Sequence, residues 1–299
     1  MVDCLENKIS MKNSSNKICI GSANFGLNYG YKKKRLSKKD AKKIINYSYK
    51  MGINYIDTAI NYGDTHKILG EFNLKKFNVI TKLPTPPKNI KSIKKWCISN
   101  VMQAKKTLRI KCIYGLLIHD TKILQNTNNA NEIFEALNFL KSKKIIHKVG
   151  LSIYDPKELD NYFDKYNFKI IQFPFSIFDR RILNSGWLKR LSKKKIELHA
   201  RSIFLQGLLL LESKKIPKKF KKWIKYFTKL DLFVKKKNIS KKIACVSFVK
   251  KFNKIDKFVI GVNDINQIKD NLALFIDKAV KIPTHLEVKS QKLINPKMW

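Results

Sequence analysis

Four side chains able to hold or move a proton fall at the ends of apolar runs in the first 120 residues: Asp57, Tyr62, Lys82 and His119. Asp57 closes Asn54-Tyr55-Ile56-Asp57, and Tyr62 follows on the small-residue turn Thr58-Ala59-Ile60-Asn61-Tyr62-Gly63. Lys82 closes Phe77-Asn78-Val79-Ile80-Thr81-Lys82, and His119 follows Tyr114-Gly115-Leu116-Leu117-Ile118. A phenol has an unperturbed pKa of about 10, so near neutrality it is a poor acid on its own. A cation beside it stabilises the phenolate, and a carboxylate holds that cation charged and in place. Asp, Lys and Tyr within reach of one another therefore form a general-acid unit, and a histidine adds a second donor. Each residue alone also has a structural reading: a turn cap, a loop aromatic, a solvated strand end, a satisfied histidine at a strand terminus. The four in this order carry more than any one of them.

Such residues meet only if their strands run parallel, because the C-terminal ends of parallel strands share one face. The pattern supplies the strands. Ile18-Cys19-Ile20-Gly21 is a first apolar run, followed by the loop Ser22-Ala23-Asn24-Phe25-Gly26-Leu27-Asn28-Tyr29-Gly30. Ser37 is a good N-cap for a helix carrying Ala41, Ile44, Ile45 and Tyr49 on one side, which Gly52 stops. Further helices are expected near 64–72, 90–108 and 131–142, each after a strand. The second half repeats the alternation. Strands are expected at 147–152, 169–173, 196–201 and 258–262. Helices follow at 156 onward, with Pro156 at its first position, and at 181–193, 240–252 and 266–275. Eight strands alternating with helices over roughly 260 residues is the count of a (β/α)8 barrel of the TIM type. A doubly wound sheet is the competitor, but no GxGxxG follows the first strand. Residues 1–16 read as a flexible N-terminal tail and 17–299 as a single α/β barrel domain, since no Pro/Gly/Ser-rich linker divides the chain.

Composition narrows the class. The chain has 299 residues, 44% hydrophobic, which excludes a disordered protein. Its formal net charge of +41 suggests nucleic acid, yet the excess is almost entirely lysine spread along the chain. Arginine, the side chain suited to bidentate phosphate and base recognition, is confined to Arg35, Arg109, Arg180, Arg181, Arg190 and Arg201. Solvated helix faces account for such lysines without a specific nucleic-acid partner. The segment 218–230 places Phe220, Trp223, Ile224 and Phe227 at helical spacing between lysines, which fits a helix packed on the barrel better than one lying on a membrane. Five cysteines show no CxxC spacing, which argues against zinc; Cys19 and Cys112 lie in strand-like runs, where a buried reduced thiol is expected. No metal site is expected. No signal peptide or membrane span is evident, so a cytoplasmic protein is expected. The oligomeric state is not legible.

Asp57-Thr58-Ala59, Tyr62-Gly63, Lys82 and Leu116-Leu117-Ile118-His119 together resemble the aldo-keto reductases, with supporting blocks in the family's order from Gly21 to Asn271. The resemblance implies a (β/α)8 barrel that reduces carbonyls to alcohols with NAD(P)H. It implies Tyr62 as general acid, Lys82 lowering its pKa, Asp57 orienting Lys82, and His119 positioning the carbonyl. It also implies a cofactor site, with Gly21 and Ser22 after the first strand. Gly150-Leu151-Ser152 and Ile171-Gln172-Phe173 match blocks in which Ser152 and Gln172 hold the nicotinamide carboxamide; an Asn usual after the serine is Ile153 here. The block Arg201-Ser202-Ile203-Phe204-Leu205-Gln206-Gly207 carries Arg201 where the family usually stacks a Tyr on the nicotinamide. Ser202, Phe204 and Gly207 are expected near the phosphates, and Gln267 and Asn271 at the adenosine end. Gly261, Val262 and Gln267 stand where many members place Lys, Ser and Arg around the 2′-phosphate, so NADP(H) is the family expectation and NAD(H) stays open. The loop Ala23-Asn24-Phe25-Gly26-Leu27 with the Arg201 block resembles a bacterial branch associated with sugar and surface-polysaccharide metabolism, which implies a sugar-derived carbonyl. A cofactor-binding sensor without turnover is the alternative that the altered Ile153 and Arg201 positions leave open.

Overall fold

The computed structural model describes residues 14–31, 33–277 and 279–299. Eight parallel strands close into a barrel in strict sequence order: β1 (Ile18–Gly21), β2 (Tyr55–Asp57), β3 (Asn78–Leu83), β4 (Ile113–Ile118), β5 (Ile146–Ser152), β6 (Ile170–Pro174), β7 (Glu197–Arg201) and β8 (Lys257–Gly261). Closure comes from β1 pairing β8, with Ile18 opposite Phe258 and Gly21 opposite Gly261. The expected (β/α)8 architecture is the one found.

Two apolar layers hold it. Inside the barrel, Cys19, Ile80, Leu117 and Ile170 pack together; outside, a larger continuous core seals the strands against the helices. The helices begin where serines can satisfy their free N–H groups. Ser37 accepts from Asp40 N at the head of Lys38–Lys50, and Ser92 and Ser240 do the same for Ile93–Leu108 and Lys241–Lys250. The single helix expected over 181–193 is instead two, Arg181–Asn184 and Trp187–Lys193. Gly186 interrupts them with φ +77°, a left-handed conformation that L side chains resist.

Three further expectations meet the structure at particular residues. Residues 1–13 of the expected tail lie outside the described residues, while Ser14 and Ser15 are buried. Cys112 is exposed, not buried, because it precedes β4 instead of lying within it. Cys19, Cys97 and Cys245 are buried free thiols. In the segment 218–230, Phe220 and Phe227 turn into the core, and Trp299 packs edge-on to Phe220 at 4.8 Å. Among the described residues no helix is long and apolar enough to cross a membrane.

Candidate active site

The C-terminal ends of the strands bring the sequence candidates to one mouth. Asp57 ends β2 opposite Gly21 of β1 and Ile80 of β3. Its backbone carbonyl accepts from both the amide (2.9 Å) and the hydroxyl (2.8 Å) of Ser22, which ties the first loop to the strand. Lys82 on β3 is almost fully buried, and its ammonium donates to Asp57 Oδ1 at 2.6 Å and to the Thr58 carbonyl at 2.9 Å. The other carboxylate oxygen, Oδ2, accepts from Gln172 Nε2 at 2.6 Å, and Ser152 Oγ donates to Gln172 Oε1 at 3.1 Å. Ser152, Gln172, Asp57 and Lys82 thus form a continuous buried hydrogen-bonded line drawn from β5, β6, β2 and β3, in which each polar group finds its partner.

Tyr62 stands in front of that line. Its loop is fixed by its own amide to the Ala59 carbonyl (3.1 Å) and by Thr65 N to the Tyr62 carbonyl (3.1 Å). Gly26 lies directly behind: a Cβ there would meet Thr65 N at 2.4 Å and the Tyr62 carbonyl at 2.5 Å, so only glycine allows the first loop to back the tyrosine turn. The Tyr62 ring lies with its centre 5.3 Å from the Lys82 ammonium, and it meets His119 edge-to-face at 5.9 Å. Burial pushes the Tyr62 phenol above its ordinary pKa, and the charge of Asp57 pushes it further; Arg201 acts in the opposite direction. Burial is the first cause of that rise, and the Lys82 ammonium is itself directed at Asp57 Oδ1 and the Thr58 carbonyl. His119 is drawn the other way: burial, then the positive charges of Lys82 and Arg201, hold its pKa at about 3, so its imidazole is neutral near pH 7.

A cleft of about 430 Å³ opens beside Tyr62 and runs over the ends of β1 and β8. Of the sequence candidates, Gly21, Ser22, Asp57, Tyr62, Arg201, Ser202, Phe204, Gly207, Gln267 and Asn271 line it; Lys82, His119, Ser152 and Gln172 do not. One wall is the loop after β7, where Ser202, Leu205 and Gln206 adopt left-handed backbone (φ 61°, 48° and 54°) ahead of Gly207 at 90°. Non-glycine residues held there cost about 1–3 kcal/mol each and gather at binding sites. The loop after β1 closes against it, through Tyr31 N to the Gln206 carbonyl at 3.4 Å. At the far end, Gln267 Oε1 accepts from Asn263 N at 3.0 Å, and Lys242 pairs with Asp270 at 3.0 Å.

Two residues with a bearing on the site escape a motif-based reading. Asn24 is buried and donates through Nδ2 to the Val262 carbonyl at 2.8 Å and Asn263 Oδ1 at 3.2 Å, bridging the first loop to the end of β8. Its Oδ1, like that of Asn271, is buried with no partner among the described residues. Tyr154 carries the Arg201 guanidinium 4.2 Å above its ring. An amide three residues past the first strand and an aromatic two residues past Ser152 are weak signals, since neither type is special at such positions.

Two other histidines have partners of their own. His66 Nε2 meets Thr81 Oγ1 at 3.1 Å, and His199 Nε2 meets Glu197 Oε1 at 2.7 Å at the opposite end of the barrel. Among the described residues, no group of three His, Cys, Asp or Glu side chains is placed to hold a metal.

Comparison with known proteins agrees with this fold. The model of the aldo/keto reductase family matches residues 17–282. An uncharacterized oxidoreductase of Bacillus subtilis, YqkF, is 30% identical over 183 residues, a stretch that spans 58% of this chain and 58% of that protein. Aldo-keto reductase AKR11C1 from Bacillus halodurans superposes in its holo form with a TM-score of 0.71 at 19% identity, covering 93% of this chain and 92% of that one. Its apo form gives 0.67 at 18% identity, over 93% and 90%. At such identities the superpositions speak for the fold; the family model, matched over most of the chain, assigns the sequence. The chain belongs to the aldo/keto reductase family, whose members are oxidoreductases acting on carbonyl compounds.

Proposed function

We propose that the protein reduces an aldehyde or ketone to an alcohol with a nicotinamide cofactor, NADPH by family expectation and NADH as the alternative, and that Tyr62 is the general acid. The observation that carries this reading is the position of the Tyr62 phenol, where the cleft meets the buried Asp57–Lys82 pair and the edge of His119.

The cleft suits a nucleotide. The orphaned Oδ1 atoms of Asn24 and Asn271 are buried acceptors on its lining, and an adenine amino group or a ribose hydroxyl offers the donor they lack. The turned backbone between Ser202 and Gly207 fits the approach of phosphates. When bound, the cofactor supplies the hydride, chemistry no side chain provides. The chain's own part is the proton. As the carbonyl π bond breaks, its oxygen takes the proton of the Tyr62 hydroxyl, and the phenolate is reprotonated from solvent. A neutral His119 donates a hydrogen bond to the same oxygen and does not compete for the proton. Asp57 holds Lys82, and Lys82 steadies the phenolate while it lasts. Ser152 and Gln172, hydrogen-bonded to each other, keep a hydroxyl lone pair, an amide oxygen lone pair and an amide hydrogen with which to meet a carboxamide. A sugar-derived carbonyl is the favoured substrate class, on the resemblance of the first loop and the Arg201 block. We place the protein in the cytoplasm, with no specific nucleic-acid partner.

The test is a fluorescence titration of the purified protein with NADPH and NADH, followed by turnover of small aldehydes by wild type and Tyr62→Phe. Saturable micromolar binding with Tyr62→Phe at least about 100-fold slower is the expected result, the lower end of what positioned acid catalysis contributes. Equal turnover by Tyr62→Phe removes the tyrosine from the mechanism.

A further inference from the structure

We infer that Arg201 makes this site selective for carbonyl substrates that carry an anionic group, a carboxylate or a phosphate. The inference rests on the reductase reading above and names the substrate class of that site.

Arg201 ends β7 and is half-buried on the cleft lining. Its guanidinium donates to the Ile153 carbonyl at 2.9 Å and to Ser202 Oγ at 3.5 Å, and it lies 4.2 Å from the centre of the Tyr154 ring. No carboxylate among the described residues pairs with it. These contacts fix the plane of the fork but use only part of its five donors. A partly desolvated cation without a counter-ion is costly unless a ligand provides one. The rest of the cleft does not. Among the described residues Asp57 is its only lining acid, and Lys82 already pairs with it, while Lys34 adds positive charge to the wall. Lys297 of the C-terminal segment also lies 5.2 Å from the centre of the Tyr154 ring, but it is paired with Asp120 beside His119. The guanidinium's hydrogen bond to the carbonyl of Ile153, the residue after Ser152, and its place over Tyr154 hold it at the end of β5, and its charge bears on both Tyr62 and His119. A fork so oriented matches a carboxylate or a phosphate in bidentate geometry.

The experiment compares kcat/KM on paired four-carbon and three-carbon substrates: succinic semialdehyde against butanal, and glyceraldehyde 3-phosphate against glyceraldehyde. Wild type, Arg201→Met and Arg201→Lys are assayed, and the NADPH dissociation constant of each is measured by fluorescence. The expected result is an anionic-over-neutral ratio that falls about 10- to 100-fold in Arg201→Met through KM, the range spanned by hydrogen bonds to charged groups. Arg201→Lys restores part of it, and the NADPH constant does not follow the ratio. An unchanged ratio overturns the inference. So does a loss of NADPH affinity that accounts for the whole effect, which would assign Arg201 to the cofactor phosphates. Calorimetric titration with succinate reads the site without turnover: binding lost in Arg201→Met supports the inference, and no binding to wild type overturns it. Failure of the reductase reading is distinguishable, since it appears as no binding of NADPH or NADH and no turnover of any of the aldehydes with either cofactor.

Discussion

Removing the Lys82 ammonium while keeping its stem, as Lys82→Met, tests the buried line at its most exposed assumption. The Nζ–Oδ1 separation of 2.6 Å gives a gross attraction of about 6 kcal/mol at an effective dielectric constant near 20. Both side chains are almost wholly buried, so desolvation costs several kcal/mol for each ion, and the net worth of the pair is small. Breaking it is another matter. Lys82→Met leaves the Asp57 carboxylate buried with Gln172 Nε2 as its one remaining side-chain donor, at a cost of about 3–5 kcal/mol. Asp57→Asn should cost a similar amount, because it leaves the Lys82 ammonium buried without a counter-charge and sets an amide NH2 group against Lys82 Nζ or Gln172 Nε2. The double variant Asp57→Asn with Lys82→Met removes both charges and should fall well short of the sum, with a coupling of at least about 2 kcal/mol. Urea unfolding at pH 7, followed by tryptophan fluorescence and circular dichroism, measures all three. A loss under about 1 kcal/mol in Lys82→Met, the range of exposed pairs, would refute the reasoning.

Two other perturbations probe what surrounds the pair. Gly26→Ala pushes a methyl against the Tyr62–Thr65 backbone and should cost about 1–3 kcal/mol; it should also lower kcat more than it raises the cofactor dissociation constant, a split that steady-state kinetics with a fluorescence titration resolves. His119 binds its proton at about 6.5 when unfolded and at about 3 when folded, so the unfolded chain binds more protons between these values and stability falls as pH drops through that window. His119→Asn should flatten this part of the urea-midpoint profile relative to wild type, and an unchanged slope would show that the imidazole titrates normally.

The barrel was legible because the period of apolar runs and the punctuation between them are local properties. Ser37 reads as a cap from its place before an amphipathic stretch, and it caps. Asp57 and Lys82 were legible as strand-end residues expected to pair, but the hydrogen bond from Gln172 to Asp57 was not, since it depends on how the barrel brings β6 opposite β2. The break at Gly186 was missed because one glycine within a helical pattern is tolerated as often as it interrupts. The direction of the Tyr62 shift was out of reach for a different reason. It turns on burial and on the balance of Asp57 against nearby cations, neither of which a motif contains.

That balance also decides what the site can stabilise. Lys82 and Asp57 form a close, nearly neutral pair, so the field they project onto Tyr62 is that of a dipole and declines quickly with distance. Arg201 has no such partner, and its charge opposes the rise in the Tyr62 pKa while it depresses that of His119. The positive potential available to a developing alkoxide therefore depends on Arg201 as well as on the pair behind the tyrosine. An anionic substrate group that docks on the guanidinium draws on the same charge, so binding and proton donation are coupled through one residue. Arg201→Lys keeps the charge but loses the fork. Its effect on the pH dependence of kcat should accordingly be smaller than its effect on KM for an anionic aldehyde, whereas Arg201→Met should shift both. Parallel effects of the two variants on both quantities would mean that position 201 acts through geometry alone.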